Sequence, residues 1–140
     1  MTRVLLALAC VVSGCDTVDL GSAPADLNAC RPDRQFFVDR IWPELLDKDI
    51  AGKKCTNAGC HDGTSGGSLR LLRPQSMARL PLPEDWEGVY KATAGVVNCT
   101  SATSSPLLAK PDGRQTHGGG KLFEVGGPET LLVKMWLEVK

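Results

Sequence analysis

Apolar residues recur at every fourth position from Phe37 through Ile41 to Leu45, with Phe36, Val38, Trp42 and Leu46 beside them. That stripe predicts an amphipathic helix over residues 33–50, begun by Asp33 as N-cap. Pro43 lies inside the stripe, so it either kinks one helix or starts a second, with Glu44 following. Ala51 and Gly52 end the segment. A second stripe, Leu131, Leu132, Met135, Trp136 and Val139, predicts a last helix opened by Gly127, Pro128 and Glu129. Between the two stripes the pattern is weaker. Residues 68–72 read as strand-like or as a turn, and 74–80 as one or two helical turns broken by Pro81 and Pro83. Residues 86–97 carry a weak helical or extended signal. Ser105, Pro106, Leu107 and Leu108 read as a short helix with Ser105 as cap. Residues 63–67, 111–113 and 117–120 read as loops or turns. The expected fold is mainly α, a small single domain with long loops and no internal repeat.

The chain opens differently. Met1, Thr2 and Arg3 form a short positive start, and residues 4–12 form an apolar run too short to span a bilayer as a helix. Small residues then precede Cys15, as in a bacterial lipobox, where the cysteine is lipidated and becomes the first mature residue. The expected division is a lipoprotein signal peptide over 1–14, a lipid-anchored tether over 15–32 and a folded domain over 33–140. The tether reading rests on Asp16, Asp19, Gly21, Ser22, Pro24 and Asp26, with no sustained apolar period. An ordinary signal peptide with an incidental Cys15 is the alternative. The expected location is the bacterial cell envelope, with a lipid anchor at Cys15 in the membrane and the domain in the periplasm or on the outer surface.

Composition narrows the picture. The 140 residues carry 16 basic and 16 acidic side chains with no basic block, so no nucleic-acid surface is expected. Glycine and proline number 15 and 9, and aromatics make up only 5%. A modest core joined by many turns calls for a staple such as a disulfide, a metal or a cofactor. Cysteines supply candidates. Cys10 leaves with the signal and Cys15 carries lipid, which leaves Cys30, Cys55, Cys60 and Cys99 in a compartment where thiols oxidise. These four can form two disulfides, or one disulfide and one cofactor attachment. Cys30 with Cys99 is the favoured pair and would tie the N-terminal segment to the middle of the domain.

Candidate chemistry concentrates in the run from Cys55 to Gly63. Two cysteines with His61 directly after the second is the arrangement that attaches a c-type haem, one thiol to each vinyl group and the histidine to the iron. The usual spacer is two residues; here Thr56, Asn57, Ala58 and Gly59 must loop outward, and Asn57 and Gly59 tolerate such turning. Two alternatives are a local Cys55–Cys60 disulfide and a zinc ion on Cys55, Cys60 and His117. For a sixth ligand, the candidates are His117, in a Gly-rich loop, then Met77, then Met135. Walls are expected from Phe36, Phe37, Ile41 and Trp42 of the first helix and Leu132, Met135 and Trp136 of the last. Asp47 and Asp49 read as solvated, and Asp62 as a local charge beside the proximal ligand. Nothing resembles a substrate pocket with acid–base pairs, so an enzyme is not expected.

The order of these features resembles the small cytochrome c-like domains of exported proteins and lipoproteins of planctomycete and myxobacterial type. The matching residues are Phe37, Pro43, Cys55, Cys60, His61, Gly66, Gly67, Leu69, Leu71 and Leu72. The segment Ser105-Pro106-Leu107-Leu108-Ala109-Lys110-Pro111, the loop His117-Gly118-Gly119-Gly120 and Trp136 complete the match, over about residues 36–137. Asp62 stands where a glycine is common, and there is no Met-Pro segment. The resemblance implies one covalent haem c on Cys55 and Cys60, with His61 as proximal and His117 as distal iron ligand. It implies one-electron transfer with a redox partner protein. A haem-free, disulfide-stapled surface lipoprotein with a binding or structural role is the rival expectation.

Overall fold

The computed structural model describes residues 31–65 and 67–139. The expected signal peptide, Cys15, Cys30 and the tether up to residue 30 lie outside the described residues. Among the described residues the secondary structure is helical and there are no strands. Helix α1, Arg34–Phe36, runs into a π-helix, Phe37–Leu46; α2 is Glu84–Ala94; a 3-10 turn, Ala102–Ser104, precedes α3, Pro106–Ala109; α4 is Pro128–Glu138.

Asp33 caps α1 as expected, its Oδ1 accepting the Phe36 N–H at 2.6 Å. Beyond Phe36 the helix neither breaks nor restarts at Pro43; it widens. The Asp47 N–H reaches back five residues to the Trp42 carbonyl at 2.8 Å, the π-helical pattern. In an α-helix the Pro43 ring would strike the carbonyl four residues earlier, and a wider turn moves that carbonyl aside. The wider turn also brings residues four and five apart onto one side, which is how Phe37, Ile41, Trp42, Leu45 and Leu46 are all buried.

Helix α4 packs on the π-helix. Trp136 is fully buried, with its ring 5.7 Å from Phe37 and 6.4 Å from Tyr90. Its Nε1 donates to the Asp33 carbonyl at 2.8 Å, and the Tyr90 hydroxyl donates to the Pro32 carbonyl at 2.7 Å. Two aromatic side chains thus clamp the entry to α1. The inward face of α4 is Glu129, Thr130, Leu132, Val133 and Trp136. Leu131, Met135 and Val139 of the predicted stripe are exposed. An ion pair of 3.1 Å from Lys48 to Glu129 helps fix that rotation.

Two middle segments differ from expectation. Residues 68–72 run without helix or strand, Leu69 and Leu71 buried and Leu72 exposed. Residues 74–80 form no helix. Asp85 accepts the N–H groups of Gln75 and Ser76 at 2.7 and 2.9 Å, and the Trp86 Nε1 donates to the Ser76 carbonyl at 3.0 Å. Side chains satisfy the backbone there, so no helical bonds are required. The weak signal over 86–97 is a helix that starts earlier, behind Pro83. Ser105 stands at the cap position of α3, but its Oγ accepts the Asn98 N–H at 2.8 Å instead.

Candidate functional site

A tight reversal after the π-helix delivers the cysteines. Ile50 and Lys53 exchange backbone bonds of 2.8 and 3.1 Å around Ala51 (φ 53°) and Gly52 (φ 79°), the paired left-handed residues of a type I′ turn. The two aspartates expected to be solvated hold this region. Asp49 accepts the Gly52 N–H at 2.8 Å. Asp47 accepts the Thr56 hydroxyl at 2.7 Å and both ends of the Arg73 guanidinium at 3.0 and 2.5 Å. Burial alone would raise the Asp47 carboxyl; Thr56 and Arg73, with Lys54 behind them, outweigh it and hold the group below the usual carboxylate range.

The spacer bulges outward, with Asn57, Ala58 and Gly59 exposed and Gly59 at φ 79°. The Cys60 N–H returns to the Asn57 carbonyl at 2.9 Å and the His61 N–H to the Cys55 carbonyl at 3.0 Å. These bonds close the bulge and put Cys55, Cys60 and His61 on one cavity wall. Both thiols are free, so the local disulfide is not formed. Burial, with the neighbouring Cys60 adding to it, pushes the Cys55 thiol up to about 11.

His61 is fixed from two sides. Its Nδ1 donates to the Leu69 carbonyl at 2.8 Å, and its own carbonyl accepts the Leu71 N–H at 2.6 Å. The loop between folds on Asp62, whose carboxylate accepts the Ser65 and Thr64 hydroxyls at 2.8 and 2.9 Å and the Gly59 N–H at 3.3 Å. Those bonds, Ser65 first and Thr64 next, hold the carboxyl well below its usual range. Asp62 therefore orders the loop that presents His61.

His117 comes from the opposite loop. Its Nδ1 donates to the Gly120 carbonyl at 3.0 Å, and its ring lies so close to Gly119 that a Cβ there would stand 3.0 Å from Cε1. Lys53 ties the two loops together, Nζ donating to the Gly119 carbonyl at 3.2 Å. The His61 and His117 rings are 6.1 Å apart between centres and 14° from parallel. A carbonyl only accepts, so in each ring Nδ1 carries the proton and Nε2 is left as the lone-pair donor. No hydrogen bond among the described residues engages either Nε2.

Two adjoining cavities, of about 290 and 460 Å³, share Cys55, His61, Lys110 and His117 as walls. The apolar walls are Leu69, Val96, Pro106, Leu107 and Pro111 of one and Leu122 of the other. This corrects the expected walls: Phe37, Ile41, Trp42, Leu132 and Trp136 form the core instead. Sequence periodicity missed Val96 and Leu122; Leu69, Pro106, Leu107 and Pro111 were visible only through the family resemblance. Met77 is 82% exposed, and Met135 lines a separate groove with Pro43 and Leu131. Neither lines the cavities that hold His61. Cys99 is disulfide-bonded; its expected partner Cys30 lies outside the described residues.

The donor set fits a metal carried in a flat organic ring better than a bare ion. An imidazole nitrogen binds a transition metal at about 2 Å and sits about 1 Å from its ring centre, so two imidazoles on opposite sides of one ion lie roughly 6 Å apart between centres. The two histidines match that spacing and supply only two ligands. No group of three or more His, Cys, Asp or Glu among the described residues could hold a metal ion, which leaves the zinc alternative without a cluster. A metal held by these two histidines would need its remaining ligands from the group that carries it. A Nδ1–H to carbonyl bond behind each ring is the usual support for a metal-ligating histidine. No protein-family model, curated protein or solved structure matches the chain.

Proposed function

We propose that the chain is an exported, lipid-anchored electron carrier. Its folded part is a small cytochrome c-like domain that holds one haem c through Cys55 and Cys60, with His61 and His117 as axial ligands. The observation that carries this reading is the His61–His117 relation, 6.1 Å and 14°, with both Nδ1 atoms turned to backbone carbonyls.

The haem would supply one-electron chemistry at its iron. The chain's own residues do the rest. The Leu69 and Gly120 carbonyls orient the imidazoles and raise their basicity. Leu69, Val96 and Leu107 give the cavity apolar walls that keep water away. Two imidazoles, rather than an imidazole and a thioether, set a lower reduction potential. No aspartate or glutamate among the described residues lines either cavity, which suits electron carriage better than acid–base catalysis. Cys15 would anchor the protein to the membrane of the cell envelope, and the partner would be another redox protein on the periplasmic or outer side.

The test is the full chain made in a host that matures c-type haem, with its visible spectrum recorded after denaturation. Haem retained through denaturation is expected, with a low-spin spectrum in the folded state that His117→Ala abolishes and Met77→Ala and Met135→Ala leave alone. Absence of retained haem, with Cys55 and Cys60 found linked to each other, would overturn the reading in favour of a haem-free, disulfide-stapled lipoprotein.

A further inference from the structure

We infer that Lys110 holds a carboxylate of the bound group, an assignment that rests on the haem reading above. Among the described residues Lys110 is the only lysine that lines both cavities. The other two at the second cavity are engaged: Lys53 donates to the Gly119 carbonyl at 3.2 Å, and Lys54 stands 4.0 Å from Asp47. Lys110 makes no hydrogen bond or ion pair through its ammonium among the described residues. The next two acids in the chain are occupied. Asp112 is buried and held by the Arg114 guanidinium at 2.8 and 2.5 Å, and Glu124 pairs with Lys121 at 2.7 Å.

Its backbone is fixed. The Lys110 N–H bonds back to the Pro106 carbonyl at 3.3 Å, and the carbonyl of the next residue, Pro111, accepts the Leu122 and Phe123 N–H groups at 2.6 and 3.1 Å. Lys110 is thus a lysine without a partner for its ammonium among the described residues where the two cavities meet, and none of the described residues lining either cavity is a carboxylate. An apolar-walled cavity receives an anionic group at a cost unless a cation meets it. A haem bears carboxylates on one edge of an otherwise apolar ring, so Lys110 would supply the counter-charge for that edge. A positive charge beside the ring also favours the reduced iron, whose charge is lower.

The experiment compares the parent holoprotein with Lys110→Gln and Lys110→Arg, reading covalent haem content and midpoint potential. The expected result is a lower potential in the Gln variant alone. The shift corresponds to roughly a threefold to tenfold change in the redox equilibrium, tenfold being about 59 mV for one electron. Arg should stay near the parent. Loss of haem uptake in the Gln variant but not in the Arg variant supports the same assignment at the binding step. A Gln variant with the parent potential, or equal changes in both variants, overturns it while leaving the haem reading intact. A parent chain without covalent haem overturns both, and is told apart by the first spectrum.

Discussion

His61 and His117 are held by one device with unequal backing. Each donates Nδ1–H to a backbone carbonyl, Leu69 at 2.8 Å for the first and Gly120 at 3.0 Å for the second. Leu69 is buried in the core, whereas Gly120 is exposed in a glycine-rich loop. The His61 side is therefore rigid, and the His117 side depends on local loop geometry.

Gly119→Ala should expose that dependence. The added Cβ would stand 3.0 Å from Cε1 and 3.4 Å from Nδ1 of His117, so the ring has to move. In the haem-bound protein the low-spin fraction should fall, read by visible and electron paramagnetic resonance spectra. Stability to urea should change by no more than about 0.5 kcal/mol, as for an ordinary surface substitution.

The Cys55 thiol gives a pH signature. In the haem-free chain its folded value of about 11 exceeds the ordinary 9.0. The unfolded chain therefore loses its proton first, and stability falls as pH rises from about 9 to about 11. The loss should be about 2–3 kcal/mol and absent in Cys55→Ala. A thioether at Cys55 does not titrate, so the haem-bound protein should not show this fall. Urea midpoints measured from pH 8 to 11 on the three proteins check it.

Asp47→Asn removes the charge that Thr56 and Arg73 bind. At pH 7 the variant should be less stable by about 1–2 kcal/mol, the scale of hydrogen bonds between a largely covered carboxylate and a partly exposed guanidinium. The Asp47 carboxyl is held below its ordinary value, so its contribution is complete above about pH 4 and fades as pH falls through the folded value. Parent and variant should converge in acid. A constant gap down to pH 2 would count against the ion pair as the cause.

Trp136→Phe keeps an aromatic ring against Phe37 and Tyr90 but deletes the Nε1 bond to Asp33. It should cost about 1–2 kcal/mol for the lost hydrogen bond and the smaller ring, since the Asp33 carbonyl keeps the Phe37 N–H at 3.2 Å. Trp136→Ala should cost about 3–5 kcal/mol through the cavity it leaves. Equal losses would mean that the hydrogen bond contributes more than the ring.

The first and last helices were legible because one face of a regular element repeats at a fixed spacing. Their details were not. Pro43 reads as a kink or a restart, and only the packing of both Trp42 and Leu46 into the core shows the wider turn that satisfies it. In α4 the pattern included Leu131 and Met135, while the buried face turned to Thr130 and Val133; which of two neighbouring faces is buried depends on the partner surface. The Cys55–His61 run and His117 were legible from chemistry and spacing, and the fold brings them to shared cavities. The cavity walls come from loop residues such as Val96 and Leu122, which have no periodicity and meet only through tertiary packing. Asp47 carried no signal at all, since its partner Arg73 is distant in sequence.

The outward bulge at residues 57–59 separates two tasks that a shorter spacer fuses. The bond from the His61 N–H to the Cys55 carbonyl, 3.0 Å, fixes the two ends, while a Cβ at Gly59 would meet nothing within 4 Å. An added residue there should extend the bulge into solvent, while the His61–Cys55 backbone bond keeps both thiols in place. The cysteine interval is then set by the size of a solvent-facing loop, and the cavity wall is set by the ends of that loop.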